Sequence, residues 1–232
     1  MSPDYVLVST RERLVIATIQ KPGARPAITS IDLTDILSIE LGAVLLFAWV
    51  EWSWINQGTV DHVRIYYNSA RQYLFKELLT DICRVRIAQA GLSTSQAERN
   101  LELLMDLPFK FNNIIANVLL LPDEQMRCLV FRPATWGKRL KYFHVMEAPN
   151  LALILTNYHL LVMREDLGEA GSRYAVIFQV YPLDSIGLAA VARQQDAIWF
   201  NLTLQKGDAQ EVVSLSFPSE TEDQLRNLAL SV

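Results

Sequence analysis

Cysteine is nearly absent from this chain: Cys83 and Cys128 are the only two among 232 residues. Two cysteines exclude a disulfide framework, and their positions lack the spacing of a zinc site. Histidine is almost as scarce, with His62, His144 and His159 scattered along the sequence, and each reads as a strand or turn residue. An excess of positive charge is also missing. The 21 basic and 25 acidic residues leave a net charge of −4, so no global attraction to nucleic acid or an anionic membrane is expected. The most apolar stretch, Leu41 to Val50, meets Glu51 well short of the about 20 residues that span a bilayer. Met1-Ser2-Pro3-Asp4 lacks the basic start of a signal peptide. These absences lead us to expect a soluble, cytoplasmic protein.

Catalytic signatures are missing too. The chain has no glycine-rich phosphate loop, nucleophile elbow, His-Glu-x-x-His or Cys-x-x-Cys. Asp32 and Asp35 flank a strand junction, where aspartate is an ordinary turn residue. Cys83 falls near an apolar helical stripe and reads as a small core hydrophobe. The expectation is a protein without enzymatic activity, cofactor or metal.

What the chain does have is apolar residues, at 51%, enough for real cores, and an internal similarity. Leu7-Val8-Ser9-Thr10-Arg11-Glu12-Arg13-Leu14 resembles Leu153-Ile154-Leu155-Thr156-Asn157-Tyr158-His159-Leu160. A second match runs without gaps from near Ser30, pairing Leu33 with Leu183, Ile36 with Ile186, Trp49 with Trp199 and Leu78 with Leu228, each 150 positions apart. Such self-similarity marks a duplicated unit. Period-2 alternation predicts strands near 5–9, 12–18, 26–32, 35–42, 44–55 and 59–67. In the second copy it predicts 151–156, 159–165, 174–181, 185–192, 196–205 and 210–217. A helix follows in each copy, opened by Ser69-Ala70-Arg71-Gln72 and by Ser219-Glu220-Thr221-Glu222, both read as capping boxes. Phe75, Leu78, Leu79 and Ile82 form the first apolar stripe, which Gly91 stops; Leu225 and Leu228 begin the second. Ser95-x-x-Glu98 signals a linker helix with Leu101, Leu104 and Met105 on one face, closed by Pro108.

Further strands are expected at 126–132 and 140–146, ahead of the matched part of copy two. Copy one has no equivalent and reads as missing a leading strand. Ile114 to Leu121 is the best internal donor to that open edge. The reading is an α+β chain: residues 1–91 form one module, 92–108 a helical linker and 109–232 a second module.

Leu155-Thr156-Asn157-Tyr158-His159-Leu160 followed by Val180-Tyr181-Pro182-Leu183-Asp184-Ser185-Ile186 resembles bacterial pleckstrin-homology (PH)-like domains. Those carry a Leu-Thr-(Asn/Asp)-x-Arg-Leu hairpin and an x-x-Pro-Leu-x-x-Ile strand; His159 stands here in place of the arginine. Copy one keeps Thr10, Arg13, Leu14, Leu33 and Ile36 but lacks the proline. The resemblance implies two tandem PH-like antiparallel β-sandwich or barrel modules, each capped by a C-terminal helix. It also implies interaction or lipid-headgroup roles, since these motifs carry no catalytic residues.

Two features point to partners. Arg132, Lys138, Arg139 and Lys141 form a basic cluster with Trp136. In PH domains that bind phosphoinositides the corresponding loop gathers cations onto phosphate. Here such a cluster marks a possible anion or membrane-headgroup contact on a face that is otherwise solvated. The second feature is apolar. Splitting the penultimate strands by their pleat puts Ala48, Val50, Trp52 and Trp54 on the core face, matching Ile198, Phe200, Leu202 and Leu204. The opposite face carries Leu45, Phe47, Trp49 and Ile55 in copy one, against Gln195, Ala197, Trp199 and Gln205 in copy two. A strand apolar on both faces is normally buried on both. Leu45, Phe47, Trp49 and Ile55, with Trp199, are therefore expected at an interface with a protein partner or in a homodimer.

Overall fold

The structure, a computed structural model, describes residues 4–21, 23–44, 46–89, 101–105, 107–115, 124–140, 143–166 and 175–232. The N-terminal half opens with strands β1 (Asp4–Ser9), β2 (Arg13–Ile19) and β3 (Ala27–Asp32), a three-stranded antiparallel sheet in that order. A 3-10 turn over Leu33–Asp35 leads to β4 (Ile36–Val44), β5 (Phe47–Asn56) and β6 (Thr59–Asn68), and then to helix α1 (Gln72–Gln89). After the short helix α2 (Phe109–Ile114) come β7 (Met126–Arg132), the hairpin β8 (Thr135–Leu140) and β9 (Phe143–Ala148), β10 (Leu151–Thr156), β11 (His159–Asp166) and β12 (Ala175–Pro182). Strands β13 (Ile186–Gln194), β14 (Ala197–Lys206) and β15 (Ala209–Pro218), then helix α3 (Glu222–Ser231), end the chain. The architecture is α+β with predominantly antiparallel sheets.

From residue 33 onward the two halves share their punctuation. The 3-10 turns Leu33–Asp35 and Leu183–Ser185 are 150 positions apart, as are β4 and β13, β5 and β14, β6 and β15, and the starts of α1 and α3. Each half has its register shift at the same place, between Ile36 and Ser38 and between Ile186 and Leu188. The hairpin turns agree as well. Thr10 Oγ1 accepts from the Arg13 amide at 2.9 Å, and Thr156 Oγ1 accepts from the His159 amide at 2.9 Å. Leu33 donates its amide to Glu12 and Leu183 to Tyr158. A threonine that accepts amides two and three residues on holds a tight turn without glycine.

The halves are joined through one sheet of seven strands, ordered β6-β5-β4-β12-β11-β10-β7. Its central seam is the antiparallel pair β4–β12, with Ile39 opposite Val180, Glu40 opposite Gln179 and Leu41 opposite Phe178. Alternation then assigns each face to a core. One face contributes Ile39, Leu41, Val50, Trp52, Ile154, Leu161, Phe178 and Val180, which pack with β2, β3 and α1 through Leu14, Ile16, Ile31 and Ile82. The other contributes Leu37, Leu153, Leu155, Leu160, Val162 and Tyr181, which pack with Ile198, Phe200, Leu202 and Leu204 of β14 and Leu225 and Leu228 of α3. All six residues of β10 are buried as a consequence, and burying each large aliphatic side chain contributes about 1.5–3 kcal/mol.

Side-chain contacts lock the seam. Arg86 of α1 is buried and donates to the Ile36 carbonyl and, at 2.6 Å, to Asp184 Oδ1. Ser185 Oγ lies 3.0 Å from the Leu37 carbonyl, and Lys206 pairs with Asp35 at 2.6 Å.

Several expectations are corrected. Helix α3 does not open on a capping box, and for α1 the side chain of Gln72 lies outside the described residues. Asn68 Oδ1 accepts from the Ala70 amide at 3.0 Å, while in the second half Thr221 makes no side-chain cap and its hydroxyl donates to the Pro218 carbonyl at 2.7 Å. A 3-10 turn precedes each helix and draws its first amides into i to i+3 bonds instead. Residues 101–104 form a single 3-10 turn in which Leu104 is buried while Met105 is 77% exposed, so the two do not share a face. Gly91, Ser95 and Glu98 lie outside the described residues. The donor strand expected at 114–121 begins as helix: Phe111 and Ile115, four apart, both enter the first core, a helical spacing that overrides the apolar run. Residues 116–121 lie outside the described residues. The strand expected at 140–146 is β9, which starts at Phe143. Among the described residues no strand pairs with the outer edge of β1.

Candidate functional site

Ala48, Val50, Trp52 and Trp54 all lie in the core, which leaves the other face of β5 to be placed residue by residue. Phe47 is 74% exposed, beside Leu46 at 67% and Tyr66 at 61%. Phe47 and Tyr66 sit diagonally across the β5–β6 pairing, on one face of the sheet, within reach of a common partner. Trp49, half-buried, is held inside the chain. Its Nε1 donates to Glu40 Oε1 at 2.9 Å, the Arg64 guanidinium lies 5.7 Å from its ring centre, and the ring covers Gly42. A Cβ on Gly42 would come 1.9 Å from Trp49 Cζ2. Gly42→Val is therefore expected to lift the indole off the sheet at a cost of about 1–3 kcal/mol; a red-shifted tryptophan emission together with a lowered melting temperature would show it. Ile55, at the far end of β5, packs against the second core, and Trp199 is half-buried on β14. Leu45 lies outside the described residues. Phe47, Trp49, Ile55 and Trp199 thus do not share one surface; Phe47, with Leu46 and Tyr66, carries what is exposed.

Glu40 is a hub that the sequence did not flag. Its side chain is 14% exposed, and it takes Trp49 and Arg64 on Oε1 and Gln179 Nε2, at 2.9 Å, on Oε2. One carboxylate thereby ties β5, β6 and β12 together.

A second polar cluster is fully buried. Glu124 Oε1 stands 2.8 Å from His159 Nδ1 and accepts from Thr156 Oγ1 at 2.5 Å. Asn157 fixes this approach through its Oδ1, which accepts the Gln125 amide at 2.9 Å. Burial opposes the His159 imidazolium, but Cys83 of α1 and Glu124 beside it prevail and raise its pKa to about 10. In the first half the matching Arg13 pairs in solvent with Asp32 at 2.8 Å. Cys83, His159, Glu124 and Thr156 thus meet where helix α1 packs on the second half. The pocket beside them, lined by Arg86, Tyr158, His159 and Asp184, holds only about 40 Å³, too little for more than a water or two. The cluster is a buried ion pair.

The basic cluster divides. Arg132 ends β7 and is half-buried; Lys138 and Arg139 fall on β8, where the structure describes the backbone alone, and Lys141 lies outside the described residues. Trp136 is 50% exposed. Arg132 instead lines a pocket of about 310 Å³ with Arg164, Trp199, Ser214 and Ser216, residues that no spacing or motif groups. Among the described residues no three metal-ligating side chains come together, and no helix is long and apolar enough to cross a membrane.

Comparison with known proteins finds no match among family models, curated proteins or solved structures.

Proposed function

We propose that this chain is a non-enzymatic interaction module built from two tandem PH-like units, and that it docks a partner on the rim formed by Leu46, Phe47 and Tyr66. The shared element boundaries 150 positions apart support the duplication. In the second unit β7, β10, β11 and β12 form one layer, β13, β14 and β15 the other, and α3 closes the second core, the order the PH-like pattern calls for. Two free cysteines suit a reducing cytoplasm.

The observation that carries the docking surface is an edge. Strand β6, ten residues long, ends the seven-stranded sheet, and among the described residues no strand hydrogen-bonds to its outer edge, although β15 packs close to it. An open edge beside exposed aromatics invites pairing. The occupant that fits is a second copy of this chain, because antiparallel pairing of β6 with itself is the arrangement a two-fold axis produces. The chain already uses such edge pairing internally, between β4 and β12. The native protein is expected to run as a dimer in light scattering, and Phe47→Glu to give a folded monomer, since losing a central aromatic anchor costs about 2 kcal/mol or more. A native protein that is monomeric at every concentration would overturn the reading.

A further inference from the structure

We propose that the pocket between β7, β10 and β11 on one side and β14 and β15 on the other binds a small phosphate monoester carrying a flat apolar group. Arg132 and Arg164 flank one residue, Leu151, which pairs with Arg164 on β11 and with Arg132 on β7. Directly opposed residues in an antiparallel sheet project to the same face, so both arginines leave the sheet on the side of Leu151. Two strand spacings set their Cα atoms roughly 10 Å apart, a span that one tetrahedral anion between two guanidinium forks can bridge.

Neither charge is neutralised. Arg132 donates to the Ser216 carbonyl, to Ser216 Oγ at 3.2 Å and to the Pro149 carbonyl at 3.0 Å, all uncharged acceptors. Burial lowers its pKa with no carboxylate to offset the effect. Among the described residues Arg164 makes no ion pair, and its Nε, like that of Arg132, is buried without a hydrogen-bond partner. Glu165 also lines the pocket, but its Oε2 accepts from Asn150 Nδ2 at 2.8 Å, and two cations against one anion still leave the walls positive. Two half-buried guanidiniums without counter-ions are costly unless a ligand supplies the charge.

The opposite wall selects the rest of the ligand. Trp199 and Ser216 are paired across β14 and β15, and Ser214 follows two residues before Ser216 on the same strand face. Ser214 gives its hydroxyl proton to Asn201 Oδ1 at 2.7 Å, so the Ser216 hydroxyl and the guanidinium forks are the donors that suit the acceptor oxygens of phosphate. Trp199, Leu151, Pro149 and Leu215 offer an apolar lining, and about 310 Å³ is the lower end of small-ligand pockets.

Phenyl phosphate and inorganic phosphate, titrated calorimetrically into the full chain, test this. Phenyl phosphate is expected to bind the more tightly. Arg164→Gln, which breaks no hydrogen bond or ion pair among the described residues, should weaken it about tenfold or more while the melting temperature does not fall. Trp199→Ala should abolish the preference for the phenyl ester. No heat with phenyl phosphate, or equal binding by Arg164→Gln, would overturn the proposal. Sedimentation with phosphatidylinositol-phosphate vesicles separates the sources of the phosphate. Vesicle binding that phenyl phosphate competes away and Arg164→Gln abolishes assigns the site to a lipid headgroup, and binding of phenyl phosphate without sedimentation assigns it to a soluble ester. Vesicle binding that survives Arg164→Gln and disappears with Lys138→Ala and Arg139→Ala would place the anion on the hairpin and refute the pocket.

Discussion

Replacing His159 by alanine is expected to destabilise the fold by about 3–5 kcal/mol, because it removes the imidazolium that faces the buried Glu124 carboxylate. Glu124 has no exposed side-chain surface, and the Thr156 hydroxyl donates to the same oxygen that faces His159. Chemical denaturation of the single variants should show this loss, and the double variant His159→Leu/Glu124→Leu should recover much of it, since an apolar pair of similar volume escapes the desolvation cost. A double variant as unstable as the sum of the singles would mean that the two side chains act independently. The pH dependence follows from the same pair. The folded-state pKa of His159 is raised to about 10, against about 6.5 in an unfolded chain. The folded state therefore holds the proton more tightly. The stabilisation is complete below about 6.5 and declines as pH rises toward 10. The His159→Leu/Glu124→Leu variant should lose that alkaline slope.

Strand positions were legible because a half-buried strand must alternate, and a two-residue period survives in any sequence that folds this way. Every strand expected in the two copies is present within about three residues, and so are both terminal helices. Within the single chain, β10 is the strand covered on both faces, whereas Phe47 of β5, expected at an interface within the chain or with a second chain, is exposed. The signal for β10 was its unbroken run Leu151-Ala152-Leu153-Ile154-Leu155, which has the character of a strand between two layers. The β4–β12 seam had no comparable signal. Which edges meet depends on how whole layers pack, and neither Ile39 nor Val180 differs in kind from its neighbours.

Legibility of the sites follows the same division. Local chemistry was readable: the Thr10 and Thr156 turns form in both halves. Groupings between distant segments were not. Glu124 reaches His159 across 35 positions and Arg132 shares a pocket with Ser216 across 84, separations at which no spacing rule operates. His159 standing where the PH-like pattern has arginine was the one hint. A cation at that position in copy one is solvated, whereas in copy two it is enclosed by α1, and the smaller, titratable imidazole with Glu124 fits the enclosure.

Trp52→Ala is expected to destabilise the protein by about 3–5 kcal/mol and to lower the unfolding temperature of both halves together. Trp52 is 1% exposed and belongs to a core that contains Ile39 and Ile65 from the first half and Phe178 and Val180 from the second. The sheet that carries it runs unbroken across the seam. Neither half can therefore keep its structure once the other has opened: β4 would lose β12, and the first core would lose the faces of β10, β11 and β12. Far-ultraviolet circular dichroism and calorimetry should follow one transition in the native protein and one, shifted downward, in the variant. Trp52→Phe should cost far less, since it keeps the ring contacts and removes an indole Nε1 that is buried without a partner. Two separate transitions, with Trp52→Ala moving only the first, would show that the halves fold as independent units and that the shared core does not couple them.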